Sequence, residues 1–155
     1  MILDERLEFA DNVTAAIEAS TANIGDVIDL GVARDIGNGK PVYLVLIVGT
    51  AFDGGATATG TTSFQLVSDA VATPATDGAQ TIHFQTDVFA AATQLTANTK
   101  MVFALPSGDF GPGFGYERYV GLQHVQAVEG EDDGTISAFL TFDPHGWHAY
   151  PDASN

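Results

Sequence analysis

The chain of 155 residues holds no cysteine and sets 20 acidic side chains against 5 basic ones, a formal charge of −15. That length suits one domain, 1–155, able to bury a core without disulfides or a structural metal, and the missing cysteine excludes thiol catalysis and zinc–thiolate sites. A surface so poor in cations neither neutralises phosphates nor adheres to anionic lipid, which argues against nucleic acid and membrane as partners.

Met1-Ile2-Leu3-Asp4-Glu5-Arg6 has neither a cationic start nor a long apolar run, so no signal peptide is expected. Within residues 1–20, Leu3, Leu7, Ala10 and Ile17 are spaced for one helical face, with Asp4, Glu5 and Glu8 placed for a first turn. Val13-Thr14-Ala15-Ala16-Ile17 reads equally as a strand, which leaves a short helix or an extended arm ahead of the main fold. Val27–Leu30 is the next strand candidate, and Gly37-Asn38-Gly39 a turn. Val42-Tyr43-Leu44-Val45-Leu46-Ile47-Val48, bounded by Pro41 and Gly49, has the unbroken aliphatic character of a strand buried on both faces. It is far short of the roughly 20 residues that span a bilayer.

Asp53-Gly54-Gly55 marks a turn, and Gly54–Thr62 reads as a flexible loop inside the domain. Phe64 and Leu66 then alternate with Ser63, Gln65 and Ser68; after a turn at Thr76-Asp77-Gly78, Ile82 and Phe84 alternate with Thr81, His83 and Gln85. Lys100–Leu105 and Tyr116–Val128 are further strands, separated by the Gly111-Pro112-Gly113 turn. Ile136, Ala138, Leu140 and Phe142 alternate with Ser137 and Thr141, and 144–155 forms an irregular tail. Seven or eight short strands with few helix signals predict an all-β antiparallel sandwich or barrel.

No stretch assembles a catalytic constellation. His145 and His148 form an H-x-x-H pair after Asp143, the starting point for a metal-dependent hydrolase or isomerase. Pro144 and Gly146 instead suggest an irregular aromatic tail, whereas a metal centre needs three or four convergent ligands. His83 and His124 stand singly in strands as ordinary hydrogen-bonded sheet residues, and no serine is paired with a histidine by pattern. Glu129-Gly130-Glu131-Asp132-Asp133-Gly134 imitates the start of a calcium loop, but the twelfth position, where a bidentate Glu belongs, is Leu140. The segment therefore reads as a solvated hairpin turn between two strands. Gly37-Asn38-Gly39-Lys40 fails as a phosphate loop, because Arg34 stands where a Gly is required and Pro41 where a Ser or Thr is. No catalytic residue, cofactor or metal is expected, and a small β domain of this kind works through its surfaces.

Several stretches together carry a family likeness: Met1–Asp4, Val27–Gly37, Tyr43–Val45 through Thr50–Phe52, Phe64–Asp69, Glu117–Leu122 and Ser137–Thr141. In that order, over nearly the whole chain, they resemble the capsid cement (decoration) proteins of tailed bacteriophages of the Bordetella-phage type. The resemblance implies a jelly-roll domain without enzymatic activity. Assembled in the host cytoplasm, it would sit on the outer capsid surface of the virion. Its implied partners are the major capsid protein, whose neighbouring subunits it bridges, and itself, as a homodimer or homotrimer. The Gly111–Gly115 loop and the extension Pro144–Asn155 look longer than such a domain requires.

Candidate contact residues are those not obviously claimed by a core: Met1, Ile2, Leu3, Leu7 and Phe9 as a docking arm, and Phe110, Phe114, Tyr116, Trp147 and Tyr150 as aromatic anchors. Tyr116 is equally placed to cap an end of the sandwich. Arg34 stands out among scarce cations, as a partner of Asp29, of Asp35 or of a carboxylate on another protein. The competing reading is a carbohydrate- or receptor-binding sandwich from a phage fibre or surface protein, with Phe114, Trp147 and Tyr150 as stacking groups.

Overall fold

The computed structural model describes residues 5–15, 20–34, 36, 39–106, 115–131 and 133–144. A 3-10 turn at Glu5–Leu7 leads into β1 (Glu8–Thr14), followed by β2 (Thr21–Asp29), β3 (Tyr43–Val48), β4 (Thr61–Asp69), β5 (Thr81–Gln85) and β6 (Phe89–Ala90). A single helical turn, α1 (Ala91–Gln94), precedes β7 (Lys100–Ala104), β8 (Tyr119–Ala127) and β9 (Thr135–Thr141).

The strands form two antiparallel sheets, one ordered β1-β9-β3-β7 and the other β2-β8-β4-β5, with β6 pairing the opposite end of β4. The chain crosses between sheets at every connection except β4 to β5 and β5 to β6, and the last strand inserts beside the first. Eight principal strands wound this way make a jelly-roll sandwich.

The central strands explain themselves in sequence. Leu44, Leu46 and Val48 of β3, Phe64 and Leu66 of β4, and Ile136, Ala138 and Leu140 of β9 fill the space between the sheets. Period-2 alternation puts Val45 and Phe139 on the opposite face, where they pair with each other across β3 and β9 and are also buried. The expectation for β3, burial on both faces, holds.

Elsewhere, bulges overrule simple alternation. Between Leu66 and Val67 the β4–β5 register slips, so Phe84 packs on the core while Ile82 is 48% exposed. Ile82 and Phe84 therefore do not share a face. β9 ends at Thr141, which leaves Phe142 61% exposed rather than continuing the inward series.

The N-terminal ambiguity resolves as a strand from Glu8 to Thr14, preceded by the 3-10 turn. Two register shifts against β9 and a positive φ at Asn12 break its periodicity, so that adjacent Phe9 and Ala10 are both buried. Those bulges made an extended segment look helical in spacing. Across the sandwich, Gly25 makes the matching irregularity in β2. Its φ is +60°, and an added Cβ would meet the carbonyl oxygen of Phe9, so only glycine fits.

Candidate functional site

The acidic segment after β8 is not a hairpin turn. β8 and β9 belong to different sheets, and residues 128–134 carry the chain from one to the other. Two of its carboxylates, those of Glu129 and Glu131, are engaged with a distant loop. Glu129 accepts hydrogen bonds from the Thr57 amide (3.0 Å), the Thr57 hydroxyl (2.7 Å) and the Thr59 hydroxyl (3.3 Å). Those bonds hold its carboxyl below the usual range. Glu131, 3% exposed, accepts from the Gly54 amide at 2.7 Å and lies within 3.5 Å of the Thr62 hydroxyl. Burial pushes its pKa up, and the neighbouring Asp53 carboxyl adds to the effect. The resemblance to a calcium loop thus dissolves into two side chains that shape the 54–60 loop. The loop also closes on itself through Gly60 N–H to Gly54 O (2.8 Å) and Ala58 N–H to Gly55 O (3.0 Å).

Glu131 anchors a polar seam at one end of the core. Its own amide donates to Gln126 Oε1 (3.1 Å), Gln126 Nε2 donates to the Ala15 carbonyl (3.3 Å), and Thr62 Oγ1 lies 3.0 Å from His124 Nε2. His124 stacks on Phe64 at 5.2 Å and meets Phe52 edge-on at 5.6 Å. Burial lowers its pKa to about 4, so the imidazole is neutral at pH 7. The histidine reads as the sequence had it, a hydrogen-bonded sheet residue.

A Ser–His pair, which the sequence pattern missed, lies elsewhere in the sandwich. Ser68 Oγ is 2.7 Å from His83 Nε2 and accepts from the Glu117 amide at 3.0 Å. The imidazole tautomer sets which of the two donates, and burial lowers the pKa of His83. Ser68 is fully buried, and the Tyr116 ring lies 4.0 Å from the imidazole. The pair fastens β4 to β5 and to the segment before β8. Among the described residues no three His, Asp or Glu side chains converge as metal ligands, and no buried side-chain polar atom lacks a hydrogen-bond partner.

The candidate contact residues divide. Phe9, at 1% exposure, and Tyr116, at 2%, are claimed by the core, Tyr116 donating its hydroxyl to the Pro106 carbonyl at 3.0 Å. Burial takes Phe9 out of the expected docking arm and, for Tyr116, favours packing against the sandwich over the aromatic-anchor alternative. Leu7 is half-buried against the same core. Met1, Ile2, Leu3, Phe110, Phe114, Trp147 and Tyr150 fall outside the described residues, as do His145 and His148.

Arg34 is exposed, and one of its expected partners is taken. Asp29 forms a two-pronged pair with Arg118, both bonds at 2.8 Å, which draws the carboxyl down to about 2. Its other expected partner, Asp35, lies outside the described residues. On the same β2–β3 connection a cavity of about 260 Å³ opens between Ile36, Gly39, Lys40, Pro41, Val42 and Leu105. The Leu105 amide donates to the Val42 carbonyl at 2.8 Å and fixes two of its walls.

A model of the Bbp16 family, a Bordetella phage protein family, matches residues 10–140, from within β1 to the penultimate residue of β9. The chain belongs to the Bbp16 family. The match takes in β2 to β8 whole and most of β1 and β9, and with them the His124–Glu131 seam, the Ser68–His83 pair and the β2–β3 cavity. No curated protein matches the chain.

Proposed function

We propose that this Bbp16-family chain is a capsid cement protein. It binds the outer surface of an icosahedral phage head and bridges neighbouring major capsid subunits as a small homo-oligomer, without catalysis. The observation that carries this reading is the family match over residues 10–140, nearly all of the sandwich. It is supported by a core in which the side chains most suited to chemistry, His124, Glu131, Ser68 and His83, are tied into internal hydrogen bonds. A protein of this build acts through contact surfaces, and moderate affinity suffices where many identical sites are presented by one shell.

The test is reconstitution. Purified protein is mixed with expanded heads that lack it, and bound copies are counted by electron cryo-microscopy. Saturable occupancy of symmetry-equivalent positions on the outside is expected. Bare heads at saturating protein, together with saturable binding in a glycan screen, would overturn this reading in favour of a carbohydrate-binding module.

A further inference from the structure

We infer that the cavity on the β2–β3 connection is where this protein grips the shell, by taking one apolar side chain that stands next to a carboxylate on a capsid subunit. The inference rests on the cement reading above and names the chemistry of its contact.

Two observations converge on it. The first is size and lining. At about 260 Å³, walled by Ile36, Pro41, Val42 and Leu105 together with Gly39 and Lys40, the cavity is more apolar than polar and lies below the roughly 300–1,000 Å³ of small-molecule sites. It matches a single aliphatic or aromatic anchor, the unit that dominates protein interfaces when seated in a pocket. The second is charge. Of the five cationic side chains, Arg118 is paired with Asp29, Lys100 donates to the Pro144 carbonyl at 3.1 Å, and Arg6 has a contact of its own. Among the described residues, Lys40 and Arg34 are left without an ion pair or hydrogen bond. Of these two, Lys40 stands on the wall of the cavity. On a chain of net charge −15, an unpaired ammonium beside an apolar hole is a local exception. Its four-carbon stem can extend the apolar wall while its head meets an anion. An apolar anchor flanked by Asp or Glu satisfies both features. The cement reading makes a capsid subunit the occupant, and a second copy of this chain is the alternative that the test separates.

Binding to heads lacking the protein is compared for wild type, Lys40→Glu, Lys40→Met and Arg34→Glu, each first checked for a native circular dichroism spectrum and thermal melt. Lys40 is on an exposed connection, so its variants are expected to fold. Lys40→Glu is expected to weaken binding by about tenfold or more. Lys40→Met, which keeps the stem, should weaken it less and flatten its dependence on salt. Arg34→Glu, the same charge reversal away from the cavity wall, should stay within about twofold of wild type. Wild-type binding with Lys40→Glu unaffected would overturn the inference and leave the cement reading standing. So would an equal loss in Arg34→Glu, which would mean diffuse electrostatics. A change in self-association of free Lys40→Glu by sedimentation, with head binding intact, would assign the cavity to a second copy instead. Failure of wild type itself to bind heads would remove both readings together.

Discussion

His124 lies fully buried between the rings of Phe64 and Phe52, with one imidazole nitrogen on the Thr62 hydroxyl. Folding therefore lowers its pKa from 6.5 to about 4. Between those values the unfolded chain binds a proton that the folded chain refuses, so stability falls as pH drops from about 6.5 towards 4 and levels off below. At 1.36 kcal/mol per unit, the loss between pH 7 and pH 4.5 is about 2–3 kcal/mol. His83, also lowered by burial, acts in the same direction. Glu131 opposes it: its raised pKa lets the folded state take up a proton first, which returns some stability as pH falls through that value. Asp29, Asp69 and Glu129, all lowered, make their losses later, below their ordinary values of 3.8 and 4.5. Urea unfolding of wild type and His124→Gln at pH 7 and pH 4.5 separates these contributions. Wild type should lose about 2–3 kcal/mol over that interval and the variant most of that slope. An unchanged slope in His124→Gln would place the response on other groups.

At the scale of elements, residues 70–80 fold back over the outer face of the β2-β8-β4-β5 sheet instead of merely joining β4 to β5. Gln123 of β8 holds them there: its Nε2 donates to Ala75 O (2.7 Å) and Asn23 Oδ1 (3.0 Å), and its Oε1 accepts from Gln80 Nε2 (3.1 Å). Asn23 donates to Pro74 O at 2.9 Å, Asp69 accepts from the Ala75 amide at 3.0 Å, and Pro74 lies against Gly121, where a Cβ would come within 3.0 Å of its ring. Gln123→Leu keeps the volume and leaves those donors and acceptors unpaired, at about 1–3 kcal/mol for each group that water cannot reach. The expected result is faster hydrogen exchange and proteolysis confined to 70–80, with a global loss of about 2 kcal/mol. Exchange that rises evenly over all strands would instead make Gln123 part of the global core. This element also marks the reach of the sequence. Alternation placed Phe64, Leu66, Ile136, Ala138 and Leu140 inward, and they are inward, because each answers to its own strand. Gln123 and Ala75 are 48 positions apart, Glu131 and Gly54 are 77 apart, and Ser68 meets His83 only through the β4–β5 pairing. Nothing local distinguishes a polar side chain that will be buried under a distant loop from one that will face water. The β8–β9 connection looks like a hairpin in sequence for the same reason, since adjacent strands in sequence need not share a sheet.

On the scale of the whole molecule, the chain carries 20 acidic side chains against five cations, and those cations are partly committed to internal contacts. Glu129 and Glu131 are offset by backbone amides and hydroxyls rather than by cations, so their bonds do nothing to reduce the net charge. Compaction brings this charge together, and repulsion among carboxylates opposes the fold most where ions are few. The screening length falls from about 30 Å at 0.01 M salt to about 10 Å at 0.1 M, from larger than the spacing of neighbouring surface charges to comparable with it. Thermal unfolding at pH 7 should therefore shift upward by several degrees between 10 mM and 300 mM sodium chloride, an effect of about 1 kcal/mol for a domain of this size. Sodium and potassium chloride should act alike if screening is the cause, whereas a specific cation site would favour one over the other. A melting temperature that falls with salt would mean that attractive pairs such as Arg118–Asp29 outweigh the repulsion. Binding at Lys40 should respond in the opposite sense, weakening as salt rises, because there the screened force is attraction. One salt titration read on both folding and head binding thus distinguishes a protein made soluble by its charge from one that also docks through the exception to it.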